Sequence, residues 1–284
     1  MRRRRAPRRG SEAGPAGADA GAVSRPAPAA GAPGAADTAT AASARAMKRF
    51  YKETAVEPAG NGFRVLLDGK PMRTPAKAIL VLPTKSLAEA IAAEWHGVPD
   101  KAEINAAHLP LTRLAATGLD RVVPRREEII VDTAKYAGSD LLCYRATTPE
   151  SLVKLQHDAW QPLLDWAEER YGARLLVASG ITFVDQPEAA MGHLRDAVAA
   201  HTDLALSALY NLTHTSGSLV IALAVAEGRL TSEGASAAAQ VDELYQVERW
   251  GDDPLAVKHR DGVAKDIDAG TRFLALLERE RLRG

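Results

Sequence analysis

Glu243, Gln246 and Trp250 stand at i, i+3 and i+7, the spacing that sets three side chains along one face of an α-helix together with Val247. Gly251, Asp252 and Asp253 follow where that helix would end. A polar face carrying one large aromatic admits three kinds of chemistry. The Glu243 carboxylate can bond backbone groups where two helices meet. It can orient a protein partner while Trp250 supplies contact area. With Glu248 and Asp253 it can serve as an acid, a base or a metal ligand in a small-molecule enzyme, which requires a pocket, here a cleft between domains, and a strongly perturbed carboxylate. The spacing alone leaves all three open.

Other chemistry-bearing residues are sparse. The seven histidines, from His96 to His259, never fall three or four residues apart, so no two imidazoles share a helical turn around a metal. Cys143 is the single cysteine and sits in an apolar run, where a thiol is inert core rather than a nucleophile. It forms no internal disulfide, in keeping with a reducing compartment. No phosphate-binding glycine loop, nucleophile elbow or H-E-x-x-H motif is present, so no catalytic, cofactor or metal residue is assigned. Trp95 continues the four-residue rhythm of Leu87 and Ile91 and reads as core.

The elements that must position these residues divide the chain in two. Phe63–Leu67 reads as a strand, Asp68-Gly69 as a hairpin turn, and Ile79–Leu82 as a second strand. Ser86 with Glu89 has capping-box spacing for a helix ending near Gly97. Leu111, Leu114, Leu119 and Val122 predict another helix, Pro124 the first turn of a third, and Leu141–Tyr144 a strand returning to the sheet. After Thr148-Pro149-Glu150 the pattern is helical, with Pro162 predicting a kink and Gly172 a cap. Leu204–Tyr210 and Leu219–Ala226 are apolar on nearly every face, and the last helix starts at Asp253-Pro254. The expected fold is α+β: a small N-terminal α+β domain with a short antiparallel sheet (47–148), then a larger all-α helical bundle (149–284).

Charge and composition set further limits. The 284 residues carry 36 basic and 36 acidic side chains, which excludes a globally basic nucleic-acid binder. The longest apolar run, Leu219–Ala226, is eight residues, far short of the roughly 20 a membrane-spanning helix needs. Residues 1–46 hold eight Arg against three acidic residues and are dominated by Ala, Gly and Pro. Such a segment is expected to be disordered. It reads as a transit-like leader, as a charged arm, or, the reading preferred here, as sequence upstream of a true start at Met47.

Several stretches carry a family resemblance: DGKPMRTPAK (Asp68–Lys77), AAEW (Ala92–Trp95), LPLTRLA (Leu109–Ala115), YAGSDLLCYRA (Tyr136–Ala146), AWQPLLDWAEERYGARL (Ala159–Leu175), LSALYNLTHTSGSLVIALA (Leu206–Ala224) and YQVERWGDD (Tyr245–Asp253). From Arg49-Phe50-Tyr51-Lys52 to Leu274 the chain resembles the assembly chaperones that receive the α subunit of the catalytic head of F-type ATP synthase. The resemblance implies a chaperone, not an enzyme, that works without ATP or any cofactor, and a fold of a small α+β domain followed by a helical one. It implies a single protein partner, the F1 α subunit, held by a monomer in the bacterial cytoplasm, or in the mitochondrial matrix if the source is eukaryotic. It places partner binding on Glu243, Gln246, Trp250, Gly251 and Asp253, and marks Trp95 as sensitive, here through folding. One departure is Pro254-Leu255, where the family more usually has an acidic residue followed by Ala.

Overall fold

The computed structural model describes residues 48–180 and 182–278. The expectations for residues 1–46 lie outside the described residues. Strands β1 (Thr54–Ala59) and β2 (Gly62–Leu67) pair antiparallel, with Thr54 opposite Leu67 and Ala59 opposite Gly62. The short strands β3 (Lys70–Pro71) and β4 (Val81–Leu82) pair with the other edge of β2. Asp68 and Gly69 both take positive φ, 47° and 75°, which the twist of a two-residue hairpin demands. The Asp68 carboxylate also accepts hydrogen bonds from the Lys52 and Glu53 amides. The strand expected over Ile79–Leu82 is narrowed to its last two residues, Ile79 forming only an isolated bridge with Arg73.

Helix α1 (Lys85–His96) covers the sheet with Leu87, Ile91 and Trp95. Its cap is Thr84, not Ser86. Thr84 Oγ1 accepts the Leu87 amide at 3.2 Å and donates to the Leu276 carbonyl at 2.8 Å, fixing the helix start to the far end of the chain. Helix α2 (Pro110–Thr117) passes into a π-helical turn over Gly118–Val122, a 3-10 turn over Val123–Arg125, and α3 (Arg126–Ala134). Packing is close where the irregular turn begins: a Cβ on Gly118 would lie 2.6 Å from Leu204 Cδ2. Leu141–Cys143 is a 3-10 turn, with Leu142 and Cys143 buried, rather than a strand. Asp140 caps that turn through the Leu142 amide, and only Tyr144–Arg145 (β5) extends, pairing in parallel with β6 (Ala178–Ser179) instead of returning to the first sheet.

The remainder is helical. Helix α4 (Glu150–Tyr171) continues through Pro162 and stops at Gly172, whose φ of 67° is the left-handed cap the sequence anticipates. Then come α5 (Glu188–Ala199), α6 (Asp203–Ser216), α7 (Leu219–Ala226), α8 (Ser232–Ala239), α9 (Val241–Trp250) and α10 (Pro254–Glu278). Every residue from Leu219 to Val225 is buried, so α7 is the central helix its all-round apolarity predicts. Helix α10 packs on α6 and α8 and also reaches α1 and α2, so one apolar core runs from the sheet through the helices. The architecture is α+β.

Candidate partner-binding face

Helix α9 is tied to α4 along one side. Val241 and Tyr245 are buried, and the Tyr245 hydroxyl lies 2.6 Å from Ser151 Oγ on α4. Asp242 accepts the Gln156 side-chain amide at 2.6 Å, and Arg249 lies over the Tyr245 ring at 4.8 Å while donating to Ser151. These contacts leave the remaining circumference of α9 to solvent and to its neighbour α10.

The corner after α9 is built by the residues that follow it. Gly251 has φ 81° and ψ −179°, a backbone region closed to side chains other than glycine's. Asp253 accepts the Leu255 and Ala256 amides, each at 3.1 Å, and so caps α10. Asp252 pairs with Arg260. Gly251 and Asp253 therefore shape the corner, and Asp253's carboxylate is occupied by the helix it starts. Trp250 stands on this corner 70 % exposed, and Leu255 beside it 77 % exposed.

Glu243 shares Trp250's flank of α9 and is half-buried. It lines a groove of about 680 Å³ between α9, α10 and the end of α6, with His214, Lys258, His259 and Asp266. His214 is wedged between Tyr136 and Tyr210, ring centroids 4.7 and 3.9 Å away, and burial lowers its pKa. Gln246 is exposed on the outer surface of the helix.

The three carboxylates of the acid–base alternative are not brought together. Glu243 and Glu248 are five residues apart, about 140° around the helix. Glu248 opens into a different hollow, between α4 and α8–α9. A cleft of about 740 Å³ between β4 and the ends of α6, α7 and α10 is lined by His201, Asp203 and Glu227 and by none of the three. Among the described residues no group of three or more His, Cys, Asp or Glu side chains is placed to hold a metal ion. Cys143 is fully buried, and burial pushes its thiol pKa far up.

Trp95 lies inside the N-terminal core, 8 % exposed, its Nε1 donating to Thr112 Oγ1 at 3.0 Å and its carbonyl accepting the Tyr51 hydroxyl at 2.7 Å. Its neighbour Glu94 escapes a reading by spacing. The Glu94 carboxylate accepts the Leu111 amide at 2.7 Å, the Thr112 amide at 2.9 Å and the Thr112 hydroxyl at 2.8 Å, closing the open N-terminus of α2. Burial, outweighing these bonds, raises its pKa. The available signal was Leu109, which cannot cap the helix opened by Pro110, so the orphan amides needed an acceptor from elsewhere in the chain.

Comparison with known proteins places these features in context. A family model described as ATP12 chaperone protein matches residues 48–168. The mitochondrial protein atp12 of Schizosaccharomyces pombe is 26% identical over 215 residues, 72% of this chain and 74% of that protein. The crystal structure of Atp12 from Paracoccus denitrificans is 37% identical with a TM-score of 0.76, covering 81% of this chain and 98% of that one. A point mutant of the same Paracoccus protein gives the same identity and TM-score. The Atu1473 protein of Agrobacterium tumefaciens is 40% identical with a TM-score of 0.77, over 81% of this chain and 86% of that one.

Proposed function

The chain belongs to the ATP12 chaperone family, and from that premise we propose that it captures the free α subunit of the F1-ATPase, covers the surface meant for β, and yields it to β during assembly of the F1 head. The observation that carries this reading is Trp250, 70 % exposed on the corner after α9 and on the same flank of that helix as half-buried Glu243. A large aromatic left in water beside an orienting carboxylate is the composition of an interface anchor. An α subunit made before β exposes a broad obligate interface, which aggregates unless covered. Release needs no nucleotide. A β subunit that buries more and better-packed surface displaces the chaperone by competition, which calls for an escort of intermediate affinity.

On this reading Glu243, Gln246 and Trp250 touch the client, while Gly251 and Asp253 hold the corner that presents Trp250. The chaperone acts as a monomer, in the bacterial cytoplasm or, in a eukaryote, the mitochondrial matrix. Among the described residues no helix is long and apolar enough to cross a membrane. The test is dilution of denatured α subunit into buffer with and without the chain, followed by light scattering and sizing chromatography. Suppressed scattering and a one-to-one complex dispersed by β support the reading, and Glu243→Lys should abolish capture while the chain stays folded. Unchanged scattering with no complex overturns it.

A further inference from the structure

The other flank of α9 borders a groove of about 480 Å³, walled by α4 on one side and by α8 and α9 on the other. Three hydrogen bonds fix how the walls are set. Ser151 meets Tyr245, Gln156 donates to Asp242, and Trp160 donates to the Ala238 carbonyl. As α4 advances, its partners recede, so the walls run antiparallel and the groove has two distinct ends. Leu155 and Glu248 stand at one end, Leu163 and Arg229 at the other.

The lining is mostly aliphatic. Leu155 and Leu244 line it from opposite walls and stay 41 % and 45 % exposed, a pair of side chains left for something to cover. The charges are arranged unevenly. Asp158, midway, is paired with Lys154. Among the described residues the side chains of Glu248 and Arg229 have no hydrogen bond or ion pair, so an unpaired carboxylate and an unpaired guanidinium mark opposite ends. Pro162 has no amide proton, which leaves the Asp158 carbonyl in the α4 wall without its helical donor.

We propose that this groove seats one amphipathic helical segment of the client subunit, about two turns long, with a basic residue at the Glu248 end and an acidic residue at the Arg229 end. The inference rests on the chaperone reading above and deepens it. The length follows from the wall, since Leu155 to Leu163 spans about 12 Å at the helical rise. A helix is required because the walls offer few main-chain partners, and an extended segment would give up its backbone hydrogen bonds to water without replacing them. The opposed end charges favour one direction of insertion over the other. The groove and the Glu243–Trp250 flank lie on either side of one helix, so a single client straddling α9 would cover both.

The test uses the full chain and the F1 α subunit, with a benzophenone photocrosslinker at position 244 and, separately, Leu244→Arg, Glu248→Arg and Arg229→Glu. The expected results are a cross-link to an apolar-striped helix of the α subunit and capture weakened at least about tenfold by Leu244→Arg, at unchanged melting temperature. The two charge reversals should slow association and alter its salt dependence. If Leu244→Arg captures as tightly as the parent chain while Glu243→Lys loses capture, the groove is not the seat and the chaperone reading stands. Cross-linking solely to a second copy of this chain also overturns the inference, and the absence of any complex with the parent chain overturns both readings.

Discussion

Asp140 shows how a single carboxylate can set part of the protein's response to pH. It is fully buried between the 3-10 turn it caps and the start of α7, accepting the Leu142 and Val220 amides at 3.1 Å each. Burial, offset only in part by these bonds and one from Ser218, pushes its pKa up to about 6. The folded chain therefore holds this proton to higher pH than the unfolded chain, whose Asp titrates near 3.9. Stability from this group is present in full below about pH 4 and is lost as pH rises through about 6, by on the order of 3 kcal/mol. Asp140→Asn should flatten that slope, read as the difference between the two chains' denaturant midpoints across pH 4–7. An unaltered slope would show that Asp140 does not carry it. Glu94 makes a second residue-scale case. Glu94→Ala strips the acceptor from the Leu111 and Thr112 amides and should cost about 1–3 kcal/mol in a denaturant titration.

At the scale of the element, two glycines of α10 predict opposite outcomes on one helix. A Cβ at Gly270 would lie 2.7 Å from Leu212 Cγ, where α10 crosses α6, so Gly270→Ala should destabilise by about 1–3 kcal/mol through overpacking. Gly262 meets nothing within 4 Å, and Gly262→Ala should stabilise by about 0.5–1 kcal/mol through helix propensity alone. Thermal melts of the two variants check both signs. Elements were legible where one local rule decides them: the Asp68-Gly69 turn, the Gly172 cap and the buried α7 all follow from residue type and spacing. They were not legible where burial decides. β1 (Thr54–Ala59) contains Pro58 and no regular alternation, and it becomes a strand because β2 supplies its ladder. Leu141–Cys143 is equally apolar as strand or 3-10 turn, and the Asp140 cap tips it to the turn. The α9 flank could be read because its spacing lies within one helix. The neighbouring groove could not, because it exists only once α4 is set antiparallel to α8 and α9.

At the scale of the whole molecule, the decisive feature is that the sheet and the helices share a core. Trp95 and Leu87 from α1 belong to the same buried cluster as Leu206, Ile221 and Phe273. Polar ties cross the same boundary. Thr84 bonds the Leu276 carbonyl, and Arg113 pairs with Asp266 at 2.6 Å. The exposed ion pair contributes little, but the shared core means that unfolding either part strips apolar cover from the other. Residues 48–148 and the helical remainder should therefore melt in one cooperative transition, with calorimetric and van't Hoff enthalpies equal. Trp95→Ala sharpens the test, because losing this side chain and its bond to Thr112 costs about 3–5 kcal/mol within the N-terminal part. In a coupled molecule that loss lowers the single melting temperature of the whole, and the proposed α9 face, although far away in sequence, unfolds at the same temperature. Two resolved transitions, with only the first displaced by Trp95→Ala, would show that the sheet unfolds on its own and that the helical part can present α9 without it.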